Sequence, residues 1–329
     1  MPPSSSAKEI VPYNRLVDRR IFLSSLAALL SGCGKTEAAK LRLALDWKPE
    51  PEFGGFYTAD FAKHGLAVDL LPGGSGTPTV QMIGAGSAEF GIVSADELIV
   101  ARTRGNDVVA LFAVYQNCPQ GIMVHASRKL ASIAGVFQSG TVAIERGLPY
   151  ARILEKKYGF GKVRIVPSPN GDISAFLHDE KFAQQCFVTS EPLTAKRAGV
   201  DVTVFPVADS GYNPYTTVLA TSGALLGRDA AKARAMVDAV REGWRAYLDS
   251  PAATNEKMHR LNPSMDAATF AEVAVAQKPY IETAETATNG LGTMTATRWE
   301  TLIGQLKDLG DISKTLSAAE CFRTLYSRI

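Results

Sequence analysis

Short apolar runs alternate with helical patterns along most of the chain. The first series of apolar runs covers residues 41–45, 67–71, 89–93 and 108–114. A second series begins near Gly140 and covers residues 141–144, 163–166, 186–189 and 202–206. Apolar strands separated by helices favour a parallel sheet that is covered on both faces. The pattern therefore predicts an α/β fold with two doubly wound units.

The pattern becomes helical after residue 220. In residues 229–250, apolar side chains recur at three- and four-residue steps, and Asp229 stands where a helix N-cap is expected. The same spacing returns around Trp299 near the end of the chain. We therefore predict a helical C-terminal part in which Trp244 and Trp299 anchor the core.

Residues 1–32 have the composition of an export signal. Arg19 and Arg20 precede an apolar run, residues 21–30, that is too short to span a bilayer. The segment Leu30-Ser31-Gly32-Cys33 resembles the lipobox of bacterial lipoproteins. The resemblance implies a signal peptide over residues 1–32 and a lipid anchor on Cys33 at the periplasmic face of a bacterial membrane. The paired arginines also resemble the twin-arginine pattern, and both that route and general export stay open.

The charge balance excludes one large class of partner. Residues 33–329 carry 31 basic and 31 acidic side chains, so the predicted mature chain is neutral. A neutral chain offers no field for nucleic acid. Cys118, Cys186 and Cys321 are too widely spaced for a metal motif, and we expect them to be buried and unpaired. The four histidines are equally scattered, so no metal site is expected.

The loop after the first strand, residues 46–57, has an unusual composition. It combines four aromatic residues, several acids, prolines and the pair Gly54-Gly55. Prolines restrict the backbone, glycines allow a close approach to a ligand, and aromatic rings offer flat faces for stacking. Ligands of open parallel sheets bind beyond the carboxyl ends of the strands, so we expect this loop to contribute to a binding site.

Loops after the other strands supply further polar and aromatic side chains. The candidate ligand contacts are Trp47, Glu50, Phe53, Tyr57, Thr77, Ser94, Asp96, Tyr115, Asn117, Glu191, Tyr212 and Tyr215. Glu191 carries the most weight, because a carboxylate accepts a hydrogen bond from an amino group and, when protonated, donates one to a ring nitrogen. That combination matches the edge of an aminopyrimidine.

Five motifs are spread over the chain beyond Cys33. They are Asp46-Trp47-x-Pro49, Gly54-x-Phe56-Tyr57, Gly86-x-x-Glu89-Phe90-Gly91-Ile92, Thr189-Ser190-Glu191-Pro192 and Gly292-x-Met294-x-x-x-x-Trp299. Together they resemble the NMT1/THI5-like group of periplasmic solute-binding proteins of ABC importers. That group takes thiamine pyrimidine precursors, and nitrate, sulfonate and taurine binders are its near relatives. Ser190 stands where the family motif has asparagine.

The resemblance implies a two-lobe periplasmic-binding-protein fold of type II. In such a fold the chain crosses twice between the lobes, closes on its ligand and meets the ABC permease and ATPase subunits. We expect the crossings at residues 123–127 and 215–222. Lobe one would then contain residues 40–124 and 221–329, and lobe two residues 125–220. We expect the protein to be a monomer.

The composition of the candidate site favours a flat heterocycle that is neutral or carries an amine. A thiamine pyrimidine precursor is the leading candidate, and riboflavin is an alternative. A sulfonate- or nitrate-type anion is the other alternative, but it would need arginine, lysine or many N–H donors in the cleft.

Enzymatic activity is the competing class of function. Eukaryotic relatives synthesise the thiamine pyrimidine with a lysine that holds pyridoxal phosphate and with an active-site histidine. The resemblance aligns Val93 and Glu97 with these two residues, and the cysteine-rich iron motif of the relatives is missing. Without an amine for a Schiff base that chemistry has no route, so we expect a binding protein without catalysis or cofactor.

Overall fold

The computed structural model describes residues 40–325. The predicted signal peptide and the lipidation of Cys33 therefore lie outside the described residues. Among the residues that are described, no helix is both long and apolar enough to cross a membrane.

Within residues 40–325, ten strands form two five-stranded sheets. The strands are β1 (Leu41–Ala44), β2 (Val68–Leu71), β3 (Phe90–Val93), β4 (Val108–Tyr115), β5 (Gln120–His125), β6 (Thr141–Ala143), β7 (Arg164–Val166), β8 (Phe182–Phe187), β9 (Val202–Pro206) and β10 (Thr216–Ser222). The first sheet has the order β2-β1-β3-β10-β4, and the second has the order β7-β6-β8-β5-β9. The predicted α/β class with two sheets is confirmed.

Helices fill the connections and form most of the C-terminal part. The described helices are α1 (Gly54–Thr58), α2 (Thr79–Gly84), α3 (Ala95–Thr103), α4 (Ile133–Val136), α5 (Pro149–Tyr158), α6 (Ser174–His178), α7 (Glu191–Arg197), α8 (Gly223–Arg228), α9 (Ala230–Asp249), α10 (Ala252–Leu261), α11 (Ala267–Ala276), α12 (Lys278–Ile281), α13 (Ala284–Asn289), α14 (Ala296–Asp308) and α15 (Ala318–Cys321).

Both sheets are mixed, which corrects the prediction of parallel sheets. β1 pairs in parallel with β2 and β3, and β6 pairs in parallel with β7 and β8. β10, however, is antiparallel to β3 and β4, and β5 is antiparallel to β8 and β9. A strand that enters a sheet directly from the other sheet needs no crossover helix, so it can run antiparallel to its neighbours.

The same two strands correct the predicted crossings. Residues 123–127 and 215–222 were expected to be connections, but β5 and β10 occupy most of these segments. The chain instead passes between the sheets at residues 116–119 and 207–215. The division into two lobes stays a prediction. The two passages of the chain between the sheets lie several residues before the positions predicted from the sequence.

The helical C-terminal part is confirmed. The Asp229 side chain caps α9 by accepting a hydrogen bond from Lys232 N at 3.0 Å. Trp244 of α9 is fully buried, and Trp299 of α14 is fully buried and stacks on Phe322. Both tryptophans are core anchors, as the spacing predicted.

One hydrophobic cluster contains residues of both sheets. It includes Val93 and Val218 of the first sheet, Val124 and Val142 of the second, and Trp299. The described cysteines, Cys118, Cys186 and Cys321, are buried and unpaired, which confirms that prediction.

Candidate functional site

A cleft of about 750 Å³ opens between loops that follow strands of the two sheets. From the first sheet it is lined by residues of the loops after β1, β2 and β3 and by the start of β10. From the second sheet it is lined by the loops after β6, β7 and β8 and by the start of α7. The cleft therefore lies beyond the carboxyl ends of the parallel strands, where ligands of open α/β sheets bind.

Six of the candidate ligand contacts line this cleft. They are Trp47, Glu50, Thr77, Ser94, Tyr115 and Glu191. The other six candidates are not among its lining residues, and their surroundings explain why.

Phe53 and Tyr57 belong to the core instead. Both side chains are buried in a hydrophobic cluster that also contains residues of α9. A Cβ added at Gly55 would lie 2.2 Å from the Trp244 ring, and one added at Gly54 would lie 2.1 Å from the Tyr247 ring. The glycine pair was expected to admit a ligand, but it admits these two core aromatic residues.

Asp96 and Tyr212 satisfy each other. The Tyr212 hydroxyl donates to Asp96 Oδ2 at 2.6 Å, and Ser94 Oγ also donates to the Asp96 carboxylate. Both Asp96 and Tyr212 are buried. This pair fixes the start of α3 and leaves only Ser94 of the three on the wall of the cleft.

Tyr215 and Asn117 lie at the passages between the sheets. The Arg298 guanidinium lies 3.9 Å from the centre of the buried Tyr215 ring, and Thr295 N donates to the Tyr215 hydroxyl at 3.1 Å. Arg298 also donates to Asn213 Oδ1 at 3.0 Å, and Asn213 Nδ2 is 3.4 Å from Asn117 Oδ1. These contacts connect the two passages to α14 rather than to the cleft.

Tyr115 lines the cleft but is fully buried. Its hydroxyl donates to Gln277 Oε1 at 2.8 Å, and Gln277 Nε2 donates to Pro51 O at 3.0 Å. The Tyr115 ring packs edge to face against Phe187, with ring centres 6.2 Å apart. Tyr115 therefore holds the loop after β1 in place and joins it to the end of β8.

Carboxylates dominate the cleft. Asp46, Glu50 and Glu52 come from the loop after β1, and Glu191 comes from the start of α7. We call these four residues the carboxylate cluster. Glu50 and Glu191 were predicted as ligand contacts, whereas Asp46 and Glu52 were not, although both lie in the loop after β1.

Burial and mutual repulsion perturb the carboxylate cluster. Desolvation raises the pKa of Asp46, of Glu50 and of Glu191 to about 7 in each case. Desolvation also raises the pKa of Glu52 well above its usual range, and the negative charges of Asp46, Glu50 and Glu191 raise it further. The four carboxyl groups therefore share one electrostatic environment, although they come from different walls of the cleft.

Glu191 and Glu50, the two acids predicted as ligand contacts, accept hydrogen bonds from neighbouring groups. Phe187 N donates to Glu191 Oε2 at 2.8 Å, and Pro192 in the first turn starts α7 at this point. Asn262 Nδ2 donates to Glu50 Oε1 at 3.3 Å. A hydrogen bond with the Trp47 side chain lowers the pKa of Glu50, although desolvation outweighs it. Trp47 itself is half-buried and packs partly against the core.

One rim of the cleft is closed by ion pairs between α7 and α11. Arg197 Nη1 lies 2.9 Å from Glu272 Oε2, and Arg197 Nη2 lies 3.1 Å from Asp266 Oδ2. Arg197 also donates to the Thr269 hydroxyl. Asp266 and Thr269 line the cleft, so this group connects its rim to the helix that begins at Glu191.

Two threonines at the start of β10 escaped the sequence analysis. Thr216 Oγ1 is buried on the cleft wall without a hydrogen-bond partner among the described residues, and Thr216 is 8% exposed. Thr217 also lines the cleft and has a φ of 52°, which is unusual for a β-branched residue. No sequence signal marks either residue, since threonine is common in strands.

Comparison with known structures places the fold. The periplasmic aliphatic sulphonate-binding protein SsuA from Escherichia coli is similar with a TM-score of 0.63 at 14% identity, over 85% of this chain and 91% of that one. A second similar structure is the ligand-binding component of an ABC-type import system from Staphylococcus aureus, solved with zinc bound. Its TM-score is 0.65 at 12% identity, over 88% of this chain and 100% of that one.

A third similar structure is the alkanesulfonate-binding protein SsuA from Xanthomonas axonopodis pv. citri bound to MOPS. Its TM-score is 0.63 at 9% identity, over 87% of this chain and 98% of that one. At such low identity these likenesses show the fold alone, which is that of periplasmic binding proteins. No curated protein sequence matches the chain significantly. The NMT1/THI5-like family model matches residues 50–254, more than half of the sequence, and the chain therefore belongs to the NMT1/THI5-like family.

Proposed function

We propose that this protein is the solute-binding component of an ABC importer and that it binds a small heteroaromatic nutrient in the cleft. A thiamine pyrimidine precursor is the leading ligand. The observation that carries the proposal is the position of the Trp47 ring beside Glu50 on the cleft wall, with Glu191 on the same cleft. An aromatic ring provides a stacking surface, and the carboxylates provide acceptors for the polar edge of an aminopyrimidine.

Membership of the family and the fold shared with binding proteins support a role in transport. Glu97 and Val93 argue against the synthase reaction of the eukaryotic relatives. Val93 is buried in β3, and Glu97 is an exposed acid on the cleft, so neither position provides the amine of a Schiff base. The protein accordingly delivers its ligand chemically unchanged.

Calorimetric titration tests the ligand. The probes are 4-amino-5-aminomethyl-2-methylpyrimidine, its formyl derivative, riboflavin and ethanesulfonate. We expect one of the pyrimidines to bind and its affinity to be lower for the Trp47→Ala variant. Tight binding of ethanesulfonate that survives both Trp47→Ala and Glu191→Gln would reject a heteroaromatic ligand.

We also propose that the two sheets form two lobes that close on the ligand. The two passages at residues 116–119 and 207–215 provide the hinge, and both lie at ends of strands in the two sheets. X-ray scattering should show a smaller radius of gyration with ligand than without it. Identical curves with and without a tightly bound ligand would contradict the closure.

Attachment to the periplasmic face of a membrane through Cys33 completes the proposal. It rests on the lipobox-like segment before Cys33. Cys33→Ala should move the protein from the membrane to the soluble periplasmic fraction. Lipid labelling that persists in this variant would contradict the anchor.

A further inference from the structure

The cleft has a one-sided charge. Its described lining residues include eight acids, Asp46, Glu50, Glu52, Glu97, Glu145, Asp172, Glu191 and Asp266, but a single basic residue, Lys48. Lys48 is exposed, and its amine lies 5.8 Å from the centre of the Trp47 ring. The chain as a whole is close to neutral, so this excess is a property of the cleft and not of the composition.

In the described part of the chain the carboxylate cluster forms no ion pairs, unlike other acids of the protein, although the charge of Lys48 lowers the pKa of Glu50. Asp266 on the rim pairs with Arg197, and Glu89, which directly precedes β3, pairs with Arg42 at 2.9 Å. Within residues 40–325, no salt bridge reaches Asp46, Glu50, Glu52 or Glu191. Buried like charges without a counter-ion are unfavourable, and a cation between them removes the repulsion.

Thr216 provides a second observation that does not depend on charge. The residue is more than nine-tenths buried on the cleft wall, and its hydroxyl has no hydrogen-bond partner within residues 40–325. Buried polar groups are almost always paired in folded proteins, so this hydroxyl is available to a bound molecule or to water. The cleft therefore offers carboxylates and a hydroxyl, and a molecule with N–H donors matches that set.

We infer that the ligand of this cleft is an organic cation whose ammonium or amidinium group is held by Glu50, Glu52 and Glu191, and that anions are excluded. The inference rests on the proposed function, because it specifies the charge of the solute that the same cleft binds. It also separates this protein from the sulphonate-binding proteins that share its fold, because a sulfonate would face eight acids and one lysine.

A matched pair of probes isolates the charge. 4-Amino-5-aminomethyl-2-methylpyrimidine carries an ammonium group at pH 8, whereas its 5-hydroxymethyl analogue has the same ring and no ammonium. Calorimetry at pH 8 should show that the aminomethyl compound binds at least about tenfold more tightly. Equal affinity for the two pyrimidines would overturn the inference and leave the proposed heteroaromatic function intact.

Variants locate the group that holds the charge. Glu191→Gln keeps an acceptor for Phe187 N and removes the negative charge. It should therefore lower the affinity for the aminomethyl compound about ten- to a hundredfold and the affinity for the hydroxymethyl compound much less. Glu300→Gln is the control, because Glu300 is an exposed acid on α14 that does not line the cleft, and it should change the affinity less than about twofold. Equal losses for both probes in Glu191→Gln would contradict an ammonium contact.

Three further probes separate the remaining outcomes. Binding of 1,4-diaminobutane without binding of either pyrimidine would support the cation and reject the heteroaromatic ligand. Binding of ethanesulfonate would overturn the inference. Binding of zinc ion from zinc chloride, with no binding of any organic cation, would also overturn it. Failure of all the cationic probes to bind at about 1 mM would also overturn it.

Discussion

Glu191 should make the ligand-free protein less stable as the pH rises. Burial raises the pKa of its carboxyl from 4.5 to about 7, so the folded protein holds a proton that the unfolded chain has released. A group with a raised pKa in the folded state contributes stability that is fully present below the unfolded value and is lost as the pH rises through the folded value. The stability that Glu191 contributes is therefore lost between about pH 4.5 and about pH 7.

The magnitude follows from the width of that window. A difference of one in pKa corresponds to about 1.4 kcal/mol, so the interval from 4.5 to about 7 sets an upper limit of about 3 kcal/mol. The side chain is only partly buried and the cleft admits solvent, so we expect about 1–2 kcal/mol. Glu191→Gln cannot titrate, and its side chain still accepts from Phe187 N, so this variant should escape the loss.

Urea unfolding of the ligand-free protein between about pH 5 and pH 8 measures the effect. The wild-type protein and Glu191→Gln should be similarly stable at the acidic end, and the variant should be more stable by about 1–2 kcal/mol at the basic end. Glu300→Gln, the exposed control outside the cleft, should follow the wild-type curve. Parallel curves for wild type and Glu191→Gln would refute the assignment of a raised pKa to this carboxyl.

Three other substitutions test the site and its supports. Trp47→Ala should lower the affinity for a pyrimidine by about 1–3 kcal/mol in calorimetry, whereas a loss confined to thermal stability would make Trp47 a core residue only. Gly55→Ala should destabilise the protein by about 1–3 kcal/mol in urea unfolding, because its methyl group would overlap a core indole ring, while Gly74→Ala, with open space around it, should have no comparable effect. Arg197→Met should remove the ion pairs to Asp266 and Glu272 and increase the radius of gyration of the ligand-free protein in scattering, and an unchanged radius would show that these pairs do not hold the rim closed.

Periodicity predicted the elements that have a strong local pattern. The helix from Ala230 to Asp249 has its apolar residues on one face and a capping aspartate, and both signals act within the segment itself. The strands β5 and β10 were missed because each adjoins a passage between the sheets and neither sequence shows a clear alternation of apolar and polar residues. Only the pairing of Gly121 with Cys186, or of Val218 with Val93, distinguishes such a segment from a connection, and pairing is a long-range property.

The sequence indicated which loops line the cleft better than it indicated which side chains face the cleft. The loop after β1 does line the cleft, as the concentration of prolines and aromatic residues indicated. Composition could not show that α1 begins at Gly54 within that loop and turns Phe53 and Tyr57 toward the core. The same limit hid Glu52, whose importance comes from three other carboxylates that approach it in the folded chain.

The carboxylate cluster links the stability of the protein to its ligand. Burial raises the pKa of all four acids, and the negative charges of other cluster members raise it further for Glu52 and Glu191. The empty cleft is therefore destabilised, since each acid must hold a proton or accept a buried charge near neutral pH. A cation that enters the cleft favours the ionised forms, so it displaces those protons and converts the repulsion into attraction. The free energy that the empty protein loses to repulsion is then recovered on binding, and a neutral or anionic solute cannot recover it. Selectivity for a cation follows from the same charges that limit the stability of the empty protein.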